Sequence, residues 1–176
     1  YTITICNDLL VINNFIVFIK RLIIILTICV FIIMYDNINK ENYLHLELPI
    51  FILFSVVGMF FLVSANNLFV LYLALETQSL ALYVLCSINR YSNLSIEAGL
   101  KYFIFGSFSS CILLFGISLI YGFTGTLDYY QLNTFLISNF SQNIVVYDSM
   151  FLGIFFSFCC IIVGLLFKLA VFPFHG

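Results

Sequence analysis

Residues 48–88 read LPIFILFSVVGMFFLVSANNLFVLYLALETQSLALYVLCSI, and Glu76 is the one charged residue among them. About 40 residues of helix would measure roughly 60 Å, twice the hydrocarbon thickness of a bilayer. The stretch therefore reads as two membrane spans, near 48–65 and 68–88. The fold between them belongs at Ser64-Ala65-Asn66-Asn67, where polar side chains can end one helix and cap the next. Pro49 suits the first turn of the earlier helix.

The same reading extends outward in both directions. Upstream, a span near 14–35 carries Lys20 and Arg21 where their stems can reach an interface, and the short Leu9–Ile12 piece before it reads as extended. A polar loop, Asp36–Glu47, holds Lys40, Glu41 and His45. Downstream, Ser95 is the expected N-cap of a span near 96–121, with Glu97 in its first turn. Gly99, Gly106, Ser107, Ser110, Cys111, Gly116 and Ser118 recur along that span at spacings that favour close helix packing. The polar loop 122–148 follows, with Leu132, Phe135 and Leu136 placed to lay a short amphipathic helix on the interface. A fifth span near 150–173 contains Lys168 and meets Pro173. The expectation is an all-α, polytopic integral membrane helical bundle of about five transmembrane helices, 1–176 forming a single membrane domain. Lys40 and Arg90 fall on one side of the bilayer and the acidic loop of Asp128 and Asp148 on the other. The positive-inside tendency turns the first pair toward the cytoplasm or matrix, although Lys20 and Arg21 lie opposite.

Composition agrees and excludes much else. The chain is 64% hydrophobic and 8% charged, with a mean hydropathy of +1.18, values that a water-exposed surface does not tolerate. Net charge is −2 with no Lys/Arg cluster, so nothing resembles a nucleic-acid-binding patch. Six cysteines show neither a C-x-x-C pair nor a His spacing suited to zinc or iron–sulfur ligation. Trp is absent while Phe reaches 22, a bias that follows from AT-rich codons and points to an organellar genome.

Charges inside the spans are the candidate functional groups. Glu76 sits mid-helix, where an ionised carboxylate costs about 2.5–3.5 kcal/mol by insertion scales. Tyr72, Ser79 and Tyr83 fall at i−4, i+3 and i+7 from it, so the four define one polar lane. Two readings stand: a proton-binding carboxyl tuned by burial and a nearby cation, or a neutral carboxyl hydrogen-bonded for packing. Lys168 follows Cys160 and Gly164 on one helix face, and Pro173 removes a backbone donor, so the helix should break just beyond the lysine. Broken membrane helices line wet cavities and ion sites; the alternative is a lysine snorkelling to the interface. Lys101 lies four residues after Glu97 in the favourable order for a helical ion pair, with a functional role equally open. His175 can titrate near neutral pH at the end of a proton path, or be structural beside Pro173.

Several stretches in order carry a resemblance. They are Leu62-Val63-Ser64-Ala65-Asn66-Asn67-Leu68, Leu71-Tyr72-Leu73-Ala74-Leu75-Glu76, Glu97-Ala98-Gly99-Leu100-Lys101-Tyr102-Phe103, Leu114 through Gly122, Thr124-Gly125-Thr126-Leu127, and Phe167-Lys168-Leu169-Ala170 with Pro173-Phe174-His175. Over nearly its whole length the chain resembles the N-terminal portion of the NADH dehydrogenase subunit 2 family of respiratory complex I, antiporter-like membrane subunits.

The resemblance implies that Glu76 is the essential glutamate and Lys168 the lysine on the broken helix, the pair that drives proton translocation, with Lys101 a further functional lysine. It implies no redox cofactor in this chain, while the parent complex uses FMN, iron–sulfur clusters, NADH and ubiquinone. It implies other complex I membrane-arm subunits and lipids as partners, in the mitochondrial inner membrane or the bacterial inner membrane. Family members continue through a second half-bundle, so a separate chain carrying the C-terminal half, from a split subunit, is a further expectation. The rival readings are a subunit of a multisubunit cation/proton antiporter or membrane hydrogenase, and a purely structural membrane subunit.

Overall fold

The computed structural model describes residues 2–38, 47–141 and 148–169. Lys40, Glu41, His45, Pro173 and His175 lie outside the described residues, and with them the expected helix break. The described residues form a short hairpin, β1 (Ile3–Ile5) and β2 (Leu10–Ile12), and then helices α1 (Asn14–Ile38), α2 (Glu47–Ser64), α3 (Leu68–Cys86), α4 (Asn93–Thr124), α5 (Tyr129–Ser141) and α6 (Asp148–Lys168). All of these helices except α5 are long and apolar enough to cross a membrane. The fold is that of an all-α membrane protein.

Burial runs opposite to that of a water-soluble domain. Phe15, Ile33 and Phe155 are more than 60% exposed, while Ser109 and Ser157 are fully buried beside Leu113 and Ile120. Lipid tails are as apolar as these large side chains, so what selects the helix contacts is close approach, which small residues allow. Each buried serine satisfies its hydroxyl within its own helix: Ser109 Oγ donates to Gly106 O (2.7 Å) and Ser157 Oγ to Ile154 O (2.6 Å).

Two compact units divide the chain, one comprising residues to Ala65 with Leu73–Ile104, the other Asn66–Tyr72 with residues from Phe105 onward. In the first, the hairpin opens the chain. Ile3 pairs with Ile12 and Ile5 with Leu10, while Leu10 also bridges to Ala65 in the turn after α2. The extended piece at Leu9–Ile12 thus has a partner strand, which local sequence did not indicate. α1 starts at Asn13, whose side chain accepts the Asn14 N–H (2.7 Å) and whose carbonyl accepts the Val17 N–H (3.0 Å), and the helix packs on α2. α2 approaches α3 at Gly58, where an added Cβ would stand 2.9 Å from the Gln78 nitrogen.

The start of α4 differs from expectation. Ser92, not Ser95, caps it: Ser92 Oγ accepts the Ser95 N–H (3.2 Å) and Ser92 O the Ile96 N–H (3.2 Å). Ser95 turns its hydroxyl onto the last carbonyls of α3 instead, donating to Cys86 O at 2.7 Å. Gly99 makes that approach possible, since an added Cβ there would lie 2.6 Å from Ser87 Cβ. Arg90 closes this end by donating to both carboxylate oxygens of Glu47 (2.9 and 2.8 Å), in the first turn of α2.

In the second unit α6 runs antiparallel to α4. Leu113 faces Gly164, and Gly116 faces Ser157 and Ile161, so rising numbers on α4 meet falling numbers on α6. The rings of Phe108 and Phe167 meet at 6.3 Å. α4 ends at Gly125, whose φ of 72° lets the chain reverse. α5 then occupies much of the stretch read as a polar loop, with Leu132 buried.

Candidate functional site

Glu76 lies half-buried in the 19-residue apolar helix α3, and its carbonyl accepts a hydrogen bond from Ser79 Oγ at 3.0 Å. Ser79 and Tyr83 are buried, and the Tyr83 hydroxyl hydrogen-bonds with the Ser79 side chain within electrostatic range of the Glu76 carboxyl. The direction follows from helix geometry: side chains lean toward the N-terminus, so Tyr83 reaches back over Ser79 toward Glu76. Tyr83 is held from the other side by α4, its ring edge-on to Tyr102 (4.7 Å, 90°) and to Phe103 (5.7 Å, 87°). Such pairs add about 0.5–1.5 kcal/mol beyond the area they bury. A carboxyl and a hydroxyl pair thus share one stretch of α3, walled by two rings of α4, an arrangement able to hold and pass a proton.

Lys101, adjacent to Tyr102, pairs with Glu97 on its own helix. Its Nζ lies 2.6 Å from Glu97 Oε1, and the two side chains are 67% and 59% exposed. Lys168 is half-buried in the last turn of α6, where a cation is favoured by the helix dipole. By the α4–α6 register, one turn past the Gly164–Leu113 contact puts Lys168 level with the buried Ser109. The structure thus brings Glu76 to Ser79 and Tyr83, and Lys101 to Glu97, while Glu76 and Lys168 belong to different units. Among the described residues no cluster of His, Cys, Asp or Glu is arranged for a metal ion, and all six cysteines are free thiols.

The family model described as NADH:quinone oxidoreductase/Mrp antiporter, TM, matches residues 65–176. The chain belongs to this family. That antiporter family match begins at the α2–α3 turn and takes in Glu76, Lys101 and Lys168. NADH-quinone oxidoreductase subunit N of Parvibaculum lavamentivorans is 38% identical over 169 residues, covering 96% of this chain and 33% of that protein. NADH-ubiquinone oxidoreductase chain 2 of Marchantia polymorpha is 40% identical over 166 residues, covering 94% and 33%. A solved structure, respiratory complex I from Thermus thermophilus with bound aureothin, contains a chain 30% identical with a TM-score of 0.54, the match covering 73% of this chain and 26% of that one. The chain spans about a third of the length of these relatives.

Within this antiporter-family chain, a polar contact joins two helix starts far apart in the sequence. Asn67 precedes α3 and Asp128 precedes α5, yet Asn67 Nδ2 donates to Asp128 Oδ1 at 2.7 Å. The capping signal at Asn67 was legible; its partner 61 residues away was not.

Proposed function

We propose that the chain is part of an antiporter-like membrane-arm subunit of an NADH:quinone oxidoreductase, contributing buried charges to proton translocation coupled to electron transfer. The observation that carries this reading is Glu76, a carboxyl half-buried on an apolar helix beside the buried Ser79–Tyr83 pair, within the residues that match the antiporter family. An ionisable group at membrane depth is expensive unless it is used or neutralised.

The mechanism is electrostatic. Glu76 serves as a proton-binding carboxyl and Lys168 as a proton-carrying lysine; a carboxylate brought near a lysine favours its charged form, and withdrawing it removes that bias and releases the proton. Lys101, with Glu97 as its local partner, takes part in passing the charge along the membrane arm. His175 lies next to the expected break after Lys168, where it serves the end of the path. The electron-carrying groups, FMN and iron–sulfur clusters, belong to other subunits, as do the NADH and ubiquinone sites. Its partners are other membrane-arm subunits and the remaining spans of the antiporter-like unit, with lipid around them. The Asn- and Phe-rich, Trp-free composition, which AT-rich codons produce, supports the mitochondrial inner membrane as the location, with a bacterial inner membrane the alternative.

The test is purification of the parent assembly and its reconstitution into vesicles. NADH-driven, inhibitor-sensitive proton uptake by an assembly with a flavin-containing peripheral arm is expected. An assembly that lacks such an arm and exchanges sodium or potassium for protons would establish the cation/proton antiporter reading, which the family description also accommodates.

A further inference from the structure

The beginning of α3 is tied to the beginning of α5 by a compact set of hydrogen bonds. Asn67 is the N-cap of α3: its Oδ1 accepts the Phe69 N–H (2.8 Å) and its carbonyl accepts the Leu71 N–H (3.0 Å). Asp128 starts α5, its carbonyl accepting the Leu132 N–H at 2.9 Å. The two residues bridge in antiparallel fashion, with Leu68 N–H donating to Leu127 O (3.1 Å) and Tyr129 N–H to Asn66 O (3.4 Å). The Asn67 Nδ2 to Asp128 Oδ1 bond joins the side chains of the two caps, and both residues are partly buried.

Capping alone does not require this chemistry. An N-cap needs only an acceptor, and Ser, Thr or Asp supplies one as well as Asn does. An amide side chain accepts and donates at once. Asn67 uses its oxygen for its own helix and its nitrogen for Asp128, so the residue type fits a link between two elements as well as a cap. The carboxylate makes that link charge-assisted and places a negative group where two helix N-termini converge, which their dipoles favour.

We propose that the Asn67–Asp128 bond is a positioning latch that fixes the first turn of α3, the helix that carries Glu76. Glu76 lies nine positions beyond Asn67, about 14 Å of helical rise. Loss of the bond frees the start of that helix. Asn67 and Asp128 are positioning residues, and their relevance to proton movement rests on the role proposed for Glu76.

The bond can be reversed without removing either cap. Asn67→Asp keeps the acceptor for Phe69 N–H but sets a carboxylate against Asp128. Adding Asp128→Asn restores a donor and an acceptor in opposite order. Losing the charge-assisted bond shifts the latched population roughly tenfold. In the assembled complex reconstituted in vesicles, Asn67→Asp and Asp128→Ala are expected to lower the protons moved per NADH oxidised and the temperature at which the complex dissociates. The reversed pair is expected to restore both to the wild-type level. A reversed pair that fails to assemble, or performs no better than Asn67→Asp alone, overturns the latch. Normal pumping by Asp128→Ala overturns it as well. Glu76→Gln measured in parallel separates the two ideas. If that variant pumps normally, the role of Glu76 fails, and rescue of the dissociation temperature then decides whether the bond anchors α3.

Discussion

Gly164 of α6 and Leu113 of α4 meet with no room for a side chain on the glycine, whose added Cβ would stand 2.7 Å from Leu113 Cβ and 3.1 Å from its Cα. With Gly116 against Ser157 and Ile161, this contact fixes which face of α6 meets α4, and hence the level at which Lys168 sits. In a bilayer, where burial of apolar area does not drive helices together, such close approach is what holds them.

Gly164→Val is therefore expected to destabilise the α4–α6 pair by about 1–3 kcal/mol through overpacking. Gly122→Ala, in α4 where an added Cβ meets nothing within 4 Å, should be neutral or gain up to about 1 kcal/mol from helix propensity. Heat-induced dissociation of the solubilised assembly, compared across the two variants, checks the contrast. Equal stability of the two would remove the glycine contact as the register-setting feature.

Glu76→Gln and Lys168→Met are expected to assemble normally and to lower proton translocation by about a hundredfold or more, the lower end for loss of a positioned proton-transfer group. Vesicle acidification measured together with NADH oxidation distinguishes loss of pumping from loss of assembly. Normal pumping in both variants would instead make the chain a structural subunit.

Tyr83 separates packing from polarity in a single position. Tyr83→Phe keeps the edge-on contacts with Tyr102 and Phe103 and should change stability by no more than about 1.5 kcal/mol, the usual net value of one hydrogen bond. It also removes the hydroxyl beside Ser79, so the pH profile of pumping should move if that hydroxyl acts on Glu76. Tyr83→Ala loses the ring as well and should cost about 3–5 kcal/mol, as aromatic truncations in packed sites do. A pH profile unchanged in Tyr83→Phe would confine Tyr83 to packing.

Glu97 and Lys101 form an i, i+4 pair on α4, so Glu97→Gln should alter stability by about 0.5 kcal/mol or less. Lys101→Gln should match it in stability yet reduce pumping. Matching losses of stability and pumping in Lys101→Gln would mean that the lysine acts only through its helix.

Capping shows how far local sequence carries. Ser95 is the expected cap of α4, yet Ser92 caps it, because Ser95 has another acceptor in the Cys86 carbonyl at the end of α3. Local sequence marks a polar helix start; the neighbouring helix end decides which residue caps it. The hairpin is similar. Leu9–Ile12 reads as extended, but its pairing depends on a turn in which Cys6, Asn7 and Asp8 all take left-handed backbone values (φ 58°, 53° and 63°), a conformation that Asn and Asp adopt singly but that three successive residues rarely share.

By itself the sequence determined the solvent, the division of residues 48–88 into two helices, and the isolation of Glu76 and Lys168 on apolar spans. Those conclusions follow from length, hydropathy and the cost of charge in hydrocarbon, all of which are properties of a segment read alone. Only the tertiary structure decided that Tyr83 leans on Tyr102, that Gly164 receives Leu113, and that Asn67 is held by Asp128. A helix apolar on every side has no inward stripe for the 3.6-residue period to reveal, so its rotation and its partners are set by close packing between segments far apart in the chain.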